Sequence, residues 1–322
     1  MGRLLRVGGI AVTIAAMVGL SGCASPAASP APAPVTGKGD TGAPTVVAPE
    51  VSTAADASGT GPTSKVLVVV EENHAAAAAL QQMPHLAGLA AQFGQTGDYR
   101  AIAHPSLPNY LAIAGGSTFG VTDDRAPASH PISQLSVFDQ ALMAGRTART
   151  YAEAMPQACA LTSDGRYAVK HNPWAYFSSA VSRSNCQRFD VPAGTPDQGA
   201  LHEDVLAGAL PTIGLLIPDL CNDGHDCSLQ VADDWLHRWL RFLMQGPDYR
   251  SGRLAIVVTF DEDDHTAGNV VLTTVIAPSV SGTLVSEPLT HYSLSRYLAD
   301  VIAVTPPGEA ATSASLGAAF HL

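Results

Sequence analysis

Two kinds of residue in this chain could do chemistry together: acids and amides that follow apolar runs, and one serine held between prolines. After Val66–Val70 come Glu71, Glu72, Asn73 and His74. After Thr212–Pro218 come Asp219, Asn222, Asp223, His225 and Asp226, and after Leu254–Phe260 come Asp261, Glu262, Asp263, Asp264 and His265. One acidic cluster after a strand is usually a solvated turn. Three in one chain point to a hard-cation site, because such ions recruit carboxylate and carbonyl oxygens. The serine is Ser106, in Ala103-His104-Pro105-Ser106-Leu107-Pro108-Asn109-Tyr110. A helix-like run follows it, so its hydroxyl would sit near a helix N-terminus, where phosphate oxygens and developing negative charge are favoured. Taken alone, Pro-Ser-x-Pro is an ordinary turn; the acidic clusters give it a second meaning.

The elements that must position these groups follow from the pattern. The runs Val66–Val70, Thr212–Pro218, Leu254–Phe260 and Val270–Ala277 have the length and β-branched content of buried parallel strands. Ala75–Phe93 reads as a helix, and so does Val231–Met244, with Trp235, Leu236, Trp239, Leu240 and Leu243 at helical spacing as core residues. Strands alternating with helices predict an α/β fold, a mostly parallel sheet covered on both faces. In such sheets ligands bind beyond the carboxyl ends of the strands, where the acidic clusters fall.

The chain has 322 residues and a formal net charge of −11. Residues 1–23 carry two arginines, an apolar run and Leu20-Ser21-Gly22-Cys23, the layout of a bacterial secretory signal ending in a lipobox. Cys23 would be acylated, leaving the protein lipid-anchored on the outer face of the cell membrane, or secreted if simply cleaved. Cleavage before Cys23 would remove Arg3 and Arg6 and no acid. The resulting acidic body argues against a nucleic-acid partner. Residues 24–64 are rich in Ala, Pro, Ser, Thr and Gly and read as a disordered tether, and 65–322 reads as one catalytic domain, expected as a monomer. Cys159, Cys186, Cys221 and Cys227 make an even set, which in an exported protein favours disulfides. Three pairings are possible; proximity favours Cys159–Cys186 with Cys221–Cys227.

Six segments appear in order: VVVEEN, HPSLPNYLAIAGGSTFG, KHNPWAYF, NDGHD, VVTFDEDD and THYSLSRYL, spanning Val68–Leu298. Together they resemble the bacterial phosphoesterase family of secreted acid phosphatases and phospholipases C, in the alkaline-phosphatase-like superfamily. The resemblance implies a three-layer α/β/α sandwich and makes Ser106 the nucleophile. It implies that Glu72, Asn73 and Asp261, with Glu262 beside them, hold a metal together with the Ser106 oxygen. His171, His225 and His291 would face the phosphate, while His104 and Asn109 flank the nucleophile as weaker substrate-binding candidates, as does Asn73. Asp261-Glu262 stands where two-zinc relatives have Asp-His, so a single metal is expected. An all-oxygen set suits Ca²⁺, Mg²⁺ or Mn²⁺ better than zinc. The expected reaction is hydrolysis of a phosphorylated small molecule or lipid through a phosphoseryl intermediate at mildly acidic pH. A phospholipase C-type diesterase with the same site is the rival. It is disfavoured because the phospholipase members tend to carry extra C-terminal domains. The other is a surface lipoprotein that binds phosphate or metal without turnover.

Overall fold

A computed structural model describes residues 62–322. The signal segment, Cys23 and the tether up to residue 61 lie outside the described residues. The strands are β1 Lys65–Glu71, β2 Gly94–Thr96, β3 Tyr99–Arg100, β4 Ala148–Ala152, β5 Asp190–Pro192, β6 Ile213–Ile217, β7 Leu254–Phe260, β8 Thr274–Ile276, β9 Thr283–Val285 and β10 Leu289–Thr290. Eight form one sheet in the order β5-β4-β6-β1-β7-β8-β2-β9. All its pairings are parallel except those of β8, which runs antiparallel to β7 and β2. β3 and β10 form a separate parallel pair.

The helices are α1 Ala76–Gln82, α2 Pro84–Gln92, α3 Ser106–Gly115, α4 Val137–Met143, α5 Ala180–Phe189, α6 Ala200–Ala207, α7 Leu229–Gln245, α8 Pro247–Arg250, α9 His291–Ile302 and α10 Leu316–Ala319. α1, α2 and α8 pack with α7, and α6 with α8; α3, α4 and α10 pack with α9, which itself lies on β1 and β6. The result is the three-layer α/β/α sandwich. Val66–Val70 are all buried, as a parallel strand covered on both faces requires.

Two expected elements differ. Ala75–Phe93 is two helices, broken at Met83 (φ −117°, ψ 75°) before Pro84. Proline has no N–H to continue the ladder and pushes the preceding residue out of helical geometry. Val270–Ala277 contributes only Thr274–Ile276, and as an antiparallel strand. No crossover helix separates it from β7, so the returning chain runs the opposite way. Both cysteine bridges are Cys159–Cys186 and Cys221–Cys227.

The site depends on three neighbours, β6, β1 and β7, which run parallel side by side. Glu71 is opposite Phe260 in register, and their successors are locked together. The Asp261 N–H donates to Glu71 O at 2.9 Å, and the Glu72 N–H donates to Asp223 O at 2.9 Å. Carboxyl ends that are far apart in sequence therefore meet at one rim.

Candidate active site

Ser106 is the first residue of α3 and is buried. Asn109 builds the turn before it: its Oδ1 accepts the N–H groups of Ile102 and Ala103 at 2.9 and 3.0 Å, and its Nδ2 donates to Ala103 O at 2.8 Å. Ser106 Oγ donates to Glu72 Oε2 at 3.1 Å and receives a hydrogen bond from Lys170 Nζ at 3.2 Å. The helix ends at Gly116 in the left-handed region (φ 64°), where a Cβ would stand 2.2 Å from Pro307 O, so only glycine closes α3 there.

Glu72 is fully buried and also accepts from Tyr110 OH at 2.8 Å. Burial would raise its carboxyl, but the ring of His171 and the charge of Lys170 outweigh that and hold it down at about 2. Asp261 is pushed the other way, well above its usual range, by burial and then by Glu72 and Glu262. Its Oδ1 accepts the N–H groups of Asn73 (3.0 Å) and Glu262 (2.6 Å), while Oδ2 is buried without a partner. Asn73 takes a left-handed backbone (φ 56°) and its amide meets Glu72 Oε2 at 3.3 Å. An unpartnered buried carboxylate oxygen beside a second, ionised carboxylate is what a bound cation would relieve. The donors Glu72, Asn73, Asp261 and Ser106 fit a hard divalent ion. Glu262 stands beside this set: burial and then Glu72 raise it to about 8, the Ser106 hydroxyl draws it back down, and its Oε2 also meets His104 Nδ1 at 2.7 Å. Among the described residues, the three His, Cys, Asp or Glu ligand atoms that lie within 4.8 Å of one another are instead those of Cys159, Cys186 and Asp190. The two sulfurs are joined to each other, so they are not thiolate ligands.

The three histidines take different places. His291 is buried and both ring nitrogens are taken, Nε2 by Asp261 O at 2.6 Å and Nδ1 by Tyr99 OH at 3.1 Å. Burial lowers it to about 4, and through Nε2 it props the Asp261 backbone. His171 lies between Glu72 Oε1 (3.1 Å) and Asp223 Oδ2 (3.2 Å). Burial is outweighed by those carboxylates, which raise it to about 9, so it is a buried counter-charge beneath Glu72. Asn109 is likewise committed to the turn rather than open to substrate. His225 stays at the mouth: its Nδ1 meets Asp226 Oδ1 at 2.8 Å, and its Nε2 accepts from Lys170 Nζ at 3.3 Å. His104 is partly exposed and bridges Glu262 to Asp263 (3.2 Å).

Sequence reasoning passed over Lys170, Tyr110 and Asp124. Lys170 stands immediately before His171 in KHNPWAYF, and Tyr110 is one helical turn beyond Ser106; that spacing was the available signal. Asp124 accepts the Leu107 N–H at 2.9 Å and Lys170 Nζ at 3.2 Å. Nothing in its local sequence announces that partnership.

Residues 75–305 match the phosphoesterase family. The chain belongs to this family. Membership makes this phosphoesterase a phosphoric-ester hydrolase. It is 32% identical over 267 residues to a Mycobacterium tuberculosis protein named phosphatidylinositol-3-phosphatase, covering 81% of this chain and 84% of that one. It is 30% identical over 210 residues to the phosphate-repressible acid phosphatase of Penicillium chrysogenum, covering 61% of this chain but only 49% of the relative. The phosphoesterase thus spans about half the length of that fungal protein. Its fold matches an alkaline phosphatase superfamily protein from Vibrio parahaemolyticus (TM-score 0.53, 13% identity, 78% and 70% of the two chains). The lipoteichoic acid synthase LtaP from Listeria monocytogenes has the same fold (TM-score 0.53, 8% identity, 77% and 74%).

Proposed function

We propose that this phosphoesterase is an exported acid phosphatase that hydrolyses phosphate monoesters through a phosphoseryl intermediate on Ser106. The observation that carries the reading is the Ser106 hydroxyl, buried at the start of α3 between Glu72 Oε2 and Lys170 Nζ. Relatives named as phosphatases support the monoester assignment. Glu72, Asn73 and Asp261, with Ser106, would hold one divalent ion of the Ca²⁺, Mg²⁺ or Mn²⁺ class. When bound, it would lower the serine pKa and draw charge from a phosphoryl oxygen.

The protein's own part is positioning and charge stabilisation, which is most of what phosphoryl transfer requires. A lone pair on Ser106 Oγ forms the bond to phosphorus. The bond from phosphorus to the alcohol breaks with its electron pair on the leaving oxygen, and that oxygen takes up a proton equal to the one Ser106 gave to solvent. Water then attacks phosphorus, phosphate leaves, and Ser106 regains a proton. Asn109 holds the turn that aims Oγ, and His171 keeps Glu72 ionised. The phosphorylated substrate is a small molecule or lipid headgroup. Export and anchoring through Cys23 complete the reading, supported by the layout of residues 1–23.

The test pairs Ser106→Ala with a choice of substrate. The parent chain should hydrolyse p-nitrophenyl phosphate well and its phosphocholine diester poorly, and the variant should lose at least about 10³-fold in kcat. Unchanged turnover in Ser106→Ala would reject the nucleophile. A preference for the diester would move the protein to the phospholipase C-type reading.

A further inference from the structure

Lys170 is held from three directions. Its ammonium has three N–H groups, and three acceptors surround it: Ser106 Oγ at 3.2 Å, Asp124 Oδ2 at 3.2 Å and His225 Nε2 at 3.3 Å. Each acceptor is itself fixed. Asp124 is tied to the Leu107 N–H at the start of α3, and His225 Nδ1 is turned to Asp226 Oδ1, which leaves the Nε2 lone pair for the lysine. The loop carrying His225 is closed on itself by Cys221–Cys227. Besides the carboxylate of Asp124, this lysine ends on the nucleophile.

Its position relative to open space matters equally. Lys170, Asp124, His225 and Leu220 line a groove of about 480 Å³, and Ser106 Oγ lies behind Lys170, buried, 3.2 Å from its Nζ. Lys170 therefore stands between Ser106 Oγ and the groove.

We infer that Lys170 is a catalytic residue: its ammonium first stabilises negative charge on Ser106 Oγ, then passes that hydrogen bond to a non-bridging phosphoryl oxygen as the O–P bond forms. The inference rests on Ser106 being the nucleophile. No proton leaves or joins Lys170 in this step; only its hydrogen bond moves, following the charge from Oγ to the phosphoryl group. The two oxygens are separated by one bond angle at phosphorus, so a side chain already fixed on Oγ reaches both with a small rotation. A donor that follows charge in this way binds the transition state more strongly than the ground state, which is the condition for raising kcat.

The test uses the full chain with Lys170→Met and Lys170→Cys, the latter before and after alkylation with 2-bromoethylamine. Alkylation restores an ammonium at the same place. The four other cysteines of the described residues are paired, and the parent chain treated identically is the control. Lys170→Met should lose about 10²- to 10³-fold in kcat for p-nitrophenyl phosphate, with KM moving less than about threefold. Inhibition by vanadate, which adopts the five-coordinate geometry, should weaken far more than inhibition by inorganic phosphate. Alkylated Lys170→Cys should regain at least about tenfold over its unmodified form, a comparison made within one folded protein. The inference is overturned if Lys170→Met keeps kcat within about threefold, if vanadate and phosphate weaken equally, or if alkylation restores nothing. Loss of function in Lys170→Met while Ser106→Ala remains active would instead reject the serine reading on which it stands.

Discussion

At the residue scale, the rim of the sheet places like charges together and then compensates them unequally. Glu72 has a buried cationic ring, a tyrosine hydroxyl and the serine. Asp261 has two backbone N–H groups on one oxygen and nothing on the other. Without a cation, Asp261 has to stay protonated or sit uncompensated next to Glu72, and either state costs stability. Two outcomes follow for Asp261→Asn. Without added metal it should be as stable as the parent or more so. Millimolar Mg²⁺, Mn²⁺ or Ca²⁺ should raise the parent's Tm but not the variant's. At a concentration of 100 times Kd the gain is about 2.7 kcal/mol, which corresponds to roughly 2–4 °C per kcal/mol for a domain of this size. Differential scanning fluorimetry reads both, and an equal shift in the two proteins would remove Asp261 from the proposed ligand set.

At the element scale, short irregular stretches do the positioning and the regular elements only carry them. β1 and β7 supply Glu72 and Asp261 because both stop at the same register. α3 supplies Ser106 because Asn109 folds the preceding turn back on itself. β5 opens on Asp190, a buried carboxyl that accepts from Thr150 Oγ1 at 2.7 Å and Asn172 Nδ2 at 2.8 Å. Burial raises it to about 7 despite those bonds, so the folded state favours the protonated form. Stability from this group is therefore complete below the unfolded pKa near 4 and is lost as pH rises through about 7, a swing on the order of 4 kcal/mol. Asp190→Asn cannot ionise. Its Tm should vary less than the parent's between pH 4 and pH 8, with the variant gaining ground at the alkaline end. Parallel Tm-versus-pH curves would show that Asp190 does not carry the dependence.

At the scale of the whole molecule, one sandwich gathers stretches separated by up to 192 residues, the distance from Tyr99 to His291, into one hydrogen-bonded set with Asn73 and Asp261. No helix among the described residues is long and apolar enough to cross a membrane. Membrane attachment in the proposed reading is through Cys23. A Cys23→Ala variant expressed in a bacterial host should move from the membrane fraction to the soluble exported fraction and keep its specific activity. Continued sedimentation with membranes would contradict lipidation as the anchor.

How much of this was legible beforehand varies with the range of the interaction. Val66–Val70 and Leu254–Phe260 were readable as strands because burial on both faces demands an unbroken apolar run, a local property. The family was readable because six ordered motifs survive in the chain. The split at Met83–Pro84 was also local and was missed by weighting apolar periodicity above proline. The antiparallel β8 was not readable, since direction depends on how the chain returns and not on its composition. Histidine roles were the least legible: His171, His225 and His291 each sit in one of the six motifs, yet two are buried as supports and one is partly exposed. Which partner a buried ring nitrogen meets is set by segments 30 to 192 residues away for His171 and His291, so sequence determined the chemical inventory and the order of elements. Only the tertiary structure decided which of those groups stand beside the Ser106 oxygen, because electrostatic and hydrogen-bond contacts act over a few ångströms of space and not along the chain.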